Sequence, residues 1–125
     1  WLAPLLKNTD IEIIEAHHNR KVDSPSGTAQ MLADSINESL GNTLHCEYNR
    51  HDKHEKRDKN EIGISSIRGG NIVGEHSVQF IGNFETFEIK HTSYSRNVFA
   101  EGALRAAEFI VNKQHGMYAM EDIFA

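Results

Sequence analysis

Residues 15–29, EAHHNRKVDSPSGTA, bring two adjacent histidines and a lysine into one run with Ser-Pro-Ser-Gly-Thr. His17 and His18 can each donate a hydrogen bond or a proton near neutral pH, and Lys21 is a compact positive charge. Ser26 and Thr28 add hydroxyl donors. A helix starting here presents unpaired backbone N–H groups and a partial positive charge, and Gly27 lets an oxygen approach the backbone closely. The stretch therefore reads as a receptor for a small carboxylate or phosphate. Neighbouring side chains on extended backbone point to opposite sides, so one histidine is expected to bind while the other transfers a proton. A plainer reading, turn and capping chemistry beside a strand end, uses the same residues.

The elements that must hold this loop follow from periodicity. Asp10–Ala16 is short and rich in β-branched residues, which predicts a buried strand ending at the histidines. From Thr28, apolar residues recur at three- and four-residue steps through Leu40, with Gly41 as a left-handed stop, which predicts a helix capped by Ser24 or by Gly27. Leu44–Tyr48 alternates as a strand, and 49–61 carries both charge signs without a large apolar residue, as a solvated, mobile loop would. Ile62–Arg68, Ile72–Phe80 and Phe84–Tyr94 read as strands joined by hairpins, with Gly69-Gly70-Asn71 as one of the turns. Asn97–Val111 has helical spacing. The expected fold is α+β: a mixed, largely antiparallel sheet covered by helices on one face, with the other face left for a partner.

Composition narrows the function. The 125 residues suffice for one compact core, and 38% hydrophobic with 25% charged residues is ordinary for a globular chain. A formal charge of −5 gives no general attraction to nucleic acid. No apolar run reaches the roughly 18 residues of a membrane span. One cysteine, Cys46, excludes an internal disulfide framework and suits a reducing cytoplasm. The eight histidines raise a zinc reading, but only His51-x-x-His54, in the charged loop, has a usual ligand spacing. RGGNIVGE is not G-x-G-x-x-G, and no dinucleotide or P-loop fingerprint occurs. The opening WLAPLLKN lacks methionine and suits the tail of a helix begun upstream, so a preceding segment is expected.

EAHHNRKVDSPSGTA closely resembles the dihydrodipicolinate reductase signature E-x-H-H-x-x-K-x-D-A-P-S-G-T-A, with Ser24 in place of the usual alanine. Glu61–Val78 and His91–Ala103 resemble the second and third blocks of that family, in the expected order. The resemblance implies a lysine- and diaminopimelate-pathway oxidoreductase that reduces a cyclic dicarboxylate with NADH or NADPH and releases water. It makes 1–96 the substrate-binding and tetramerisation domain, and 97–125 a helical segment packing on an N-terminal Rossmann domain that holds the cofactor. By position, His17 falls on the proton donor and Lys21 on the second catalytic cation. His18, Ser26, Gly27, Thr28 and Arg96 fall on substrate-binding positions or beside them. The implied partners are a small dicarboxylate and three further copies of the chain; no nucleic acid, membrane or metal partner is expected from the residues themselves. The implied chemistry is hydride addition to a conjugated imine and protonation of the resulting enamine, a step suited to histidine. The chain by itself is expected to be inactive. An assembly module without a catalytic role is the alternative.

Overall fold

The computed structural model describes residues 1–125, which divide into two compact units, Trp1–Thr92 and Ser93–Ala125. No helix is long and apolar enough to cross a membrane.

The first unit is a five-stranded sheet with one long helix. After a single 3-10 turn at Ala3–Leu6, its elements are β1 (Asp10–His17), α1 (Gly27–Ser39), β2 (His45–Glu47), β3 (Glu61–Arg68), β4 (Gly74–Ile81) and β5 (Thr86–Ser93). The sheet order is β2-β3-β1-β4-β5. β1 lies between β3, to which it runs parallel, and β4, to which it runs antiparallel. β2 is parallel to β3. The sheet is mixed, as its composition suggests, but with a larger parallel share than the strand spacing predicts. Gly69–Val73 is correspondingly no hairpin turn: it carries the chain from β3 across β1 to β4.

One face of the sheet carries the core. Ile11 and Ile13 of β1 lie level with Ile62 and Ile64 of β3 and with Phe80 and Val78 of β4, and all six pack with Ala29, Ala33 and Ile36 of α1. The alternation that buries Ile11 and Ile13 turns Glu15 and His17 to the same side, where the apolar core gives way to polar groups. α1 begins one residue earlier than its apolar period, and its cap is neither Ser24 nor Gly27. Ser26 is extended, and its Oγ accepts from the Ala29 N–H at 3.2 Å. Gly41, at φ +81°, then supplies the left-handed stop.

Up to Asn60, the residue before β3 begins, the charged segment 49–61 has no regular structure, but it is not simply solvated. Arg57 donates to the carboxylates of Asp10 at 3.0 Å and Glu12 at 3.1 Å. It also donates to the carbonyls of Ile11, Asp58 and Glu61 at 2.9–3.0 Å. Arg50 pairs with Glu12 and with the buried Glu61. Glu12 is level with Gly63 on β3, and a Cβ there would overlap its carboxylate. The missing side chain thus lets Glu12 lie across β3.

The second unit is α2 (Asn97–Ile110) with the tail folded back on it. The Phe109 ring meets Tyr118 edge-on at 5.8 Å and carries Lys113 over its face. A small hollow lined by Val98, Met120, Ile123 and Phe124, with Glu101 and Arg105 at its side, completes it.

Candidate active site

Glu15, at zero exposure, is the centre of the polar end of the sheet. Arg68, the last residue of β3, grips it bidentately, Nη1 to Oε2 at 2.8 Å and Nη2 to Oε1 at 2.7 Å. The Ser26 N–H adds a bond to Oε1 at 3.2 Å, and His17 Nδ1 lies 2.6 Å from Oε2. One carboxylate thus ties His17 to the head of α1. Arg68 is itself fixed by the carbonyls of Ile67 and Asp23.

The head of α1 has two kinds of donor. The Ser26 hydroxyl is occupied by the cap and lies 2.8 Å from His76 Nε2. The Gly27 and Thr28 N–H groups precede the first intrahelical bonds, and both residues are exposed, with nothing near the Gly27 α-carbon where a side chain would stand. Lys21 follows a turn closed by its N–H on the His18 carbonyl at 3.1 Å. Its ammonium lies 2.9 Å from Asp23, so an incoming carboxylate has to compete with that side chain. His18 is half-buried just past the strand end. Asn19 and Gly69 bond across to Gly70 and His17 respectively, which fastens this loop to the β3–β4 crossing.

Electrostatics sort these groups. Burial pushes the Glu15 carboxyl up, but hydrogen bonds from Arg68, Ser66 and His17 outweigh it and bring the group from its ordinary 4.5 down to about 2. Burial, and next the interaction with neighbouring His17, push the His76 imidazole below its ordinary value. The Ser26 hydroxyl, which accepts from the Ala29 N–H, also lies 2.8 Å from His76 Nε2.

Glu15 gives an acid-stability prediction. Its carboxylate form is favoured in the folded chain, so the stability it lends is fully present above pH 4.5 and is lost as pH falls towards about 2. That interval corresponds to about 3 kcal/mol. Acid-unfolding titrations of the wild type and Glu15→Gln are expected to converge only below about pH 2, the variant lacking this component of the acid transition.

His17, Ser26 and Gly27 are thus brought together around Glu15, with His18, Lys21 and Thr28 on the segments joined to them. Arg96 belongs to the second unit, directly before α2. Periodicity missed three participants: Glu15, Arg68 and His76. No three His, Cys, Asp or Glu side chains form a group that could hold a metal. The nearest cavity, about 390 Å³ and lined by Ser24, Pro25, Tyr48, Ile64 and Ser66, offers hydroxyls but no cation for a carboxylate.

The family model "Dihydrodipicolinate reductase, C-terminus" matches residues 1–124. The chain belongs to the dihydrodipicolinate reductase C-terminal family. Among its relatives, the 4-hydroxy-tetrahydrodipicolinate reductase of Brachyspira hyodysenteriae is 55% identical over 99% of this chain and 53% of that protein. The enzyme of the same name from Clostridium tetani is 58% identical over 94% of this chain and 46% of that protein. The solved structure of dipicolinate-bound dihydrodipicolinate reductase from Paenisporosarcina sp. TG-14 superposes with a TM-score of 0.71 at 27% identity, covering 97% of this chain and 47% of that one. This member of the family spans about half the length of the reductases it matches.

Proposed function

We propose that this chain is the substrate-binding part of a 4-hydroxy-tetrahydrodipicolinate reductase, holding a small ring dicarboxylate and supplying the proton that completes its reduction. The observation that carries this reading is the joining of His17 to the open head of α1 through buried Glu15, in a chain whose family includes a structure with dipicolinate bound.

In this reading the Gly27 and Thr28 N–H groups and the Lys21 ammonium take one carboxylate, and His18 and Ser26 border the ring. Two fixed anion contacts orient the ring, and a cation beside it stabilises charge that develops as hydride adds. His17 then gives a proton to the enamine carbon. Arg96 enters as a further carboxylate contact on family resemblance alone. Residues 1–96 are the binding and tetramer-forming part, and 97–125 the segment that meets a cofactor domain.

The residues present do not fit a nicotinamide nucleotide. The turn between β1 and α1 carries Ser-Pro-Ser-Gly rather than a glycine fingerprint, and its exposed N–H groups are assigned here to the substrate. NADH or NADPH is therefore assigned to another part of the enzyme, and this chain alone is expected to turn nothing over. Homotetramer formation is assigned to the sheet face opposite α1, where half-exposed Ile67 adjoins Ala16, Ser77, Glu88 and Lys90. The single thiol suits the cytoplasm of a lysine-making cell.

Steady-state kinetics of Lys21→Ala in the intact reductase test the reading. KM is expected to rise on the order of 10- to 100-fold, as for a lost charged contact. An unchanged KM and kcat would remove Lys21 from the site.

A further inference from the structure

Glu15 is fully buried and ionised, and substrate binding and protonation as described use it only as the tie between His17 and the head of α1. A buried ion pair is a weak source of stability, since apolar residues of similar volume hold a fold as well. What this pair does hold is one imidazole. Arg68 fixes both carboxylate oxygens in a single plane, and the Ser26 N–H takes a further lone pair of Oε1. Oε2 is left facing His17 Nδ1 at 2.6 Å. An ionised carboxylate can only accept, so Nδ1 carries a proton, and the nitrogen that gains and loses one is Nε2.

The surroundings of Nε2 agree. That atom overlies Gly74 at the start of β4, where an added Cβ would come within 3.3 Å of Nε2 and 3.6 Å of Cδ2. Glycine therefore leaves space beside the working edge of the ring. His76 meets the ring edge-on, with centroids 5.1 Å apart at 70°, and is held in place by Ser26.

We propose that Glu15, clamped by Arg68, is a positioning residue that fixes the ring and tautomer of His17 so that Nε2 delivers the proton, with Gly74 leaving the room it needs. This rests on the reading of His17 as proton donor. In the cycle, imidazolium gives the Nε2 proton to the enamine carbon, whose electron pair forms the new C–H bond. The Nδ1–H tautomer left behind is the one Glu15 stabilises, and solvent returns the proton to Nε2.

The test is made in the intact reductase, labelled with ¹⁵N at histidine. Wild-type His17 is expected to show the Nδ1–H tautomer at pH values where the ring is neutral. Glu15→Gln is expected to lose that signature and to lower kcat about 10- to 100-fold with KM within about twofold, part of the full effect of a general acid. Gly74→Ala is expected to lower kcat with the tautomer retained. An Nε2–H tautomer in the wild type, or a wild-type kcat in Glu15→Gln, would overturn the proposal. The tautomer is read in the unaltered protein, so a folding defect in a variant does not blur the result. Full turnover by His17→Ala would instead remove the proton-donor reading beneath the proposal, whatever the tautomer.

Discussion

Replacing His17 by alanine in the intact reductase is expected to lower kcat by about 10²–10⁴-fold while leaving dicarboxylate affinity within about threefold. The split follows from position. His17 is the last residue of β1, its Nδ1 committed to Glu15 and its Nε2 edge over Gly74. The anion contacts, by contrast, come from Lys21 and the head of α1. Removing the imidazole therefore takes away a proton donor that acts only when charge has built up in the ring, and it leaves the carboxylate contacts in place. A variant that lost affinity and kept kcat would show that His17 binds and another group protonates.

The second large effect is on stability. Arg57→Ala is expected to destabilise the chain by about 1–3 kcal/mol, the range for losing charged hydrogen bonds at a half-buried site. Arg57 satisfies two carboxylates and also donates to the carbonyls of Ile11, Asp58 and Glu61. Its loss leaves Arg50 as the remaining cation against both Glu12 and buried Glu61. Chemical denaturation of wild type and variant checks this. A midpoint unchanged within error would mean that segment 49–61 is as loosely attached as its composition suggests.

That segment shows where the sequence was silent. Its thirteen residues carry no large apolar side chain, so no periodicity marks them, and Arg57 is recognisable only once Asp10, Ile11, Glu12 and Glu61 have been brought beside it by the pairing of β1 with β3. The hairpin expected at Gly69–Asn71 failed for a related reason. Alternation tells which side chains of a strand face inward, but not which strand lies next to it. β1, more than fifty residues earlier in the chain, takes the place between β3 and β4.

Local chemistry fared better. β1 was visible as a β-branched run, and α1 as a helical period closed by Gly41. The cap itself was misplaced by one or two residues, because Ser24, Ser26 and Gly27 are all acceptable caps and the choice depends on the Ser26 N–H meeting Glu15. A signal for Glu15 was present: Ile11, Ile13, Glu15 and His17 share one face by a period of two, which sets an acid on the buried side of a strand. A buried acid needs a partner, and Arg68 stands level with His17 on the neighbouring strand.

The central claim is that the loop from His17 to Thr28 is a dicarboxylate site built by this chain. Calorimetric titration of the intact reductase with pyridine-2,6-dicarboxylate tests it most directly, run on the wild type and on Lys21→Ala. The account predicts saturable binding in the wild type and a loss of affinity on the order of 10- to 100-fold in the variant. Equal affinity in the two proteins, or no binding to the wild type, would contradict it.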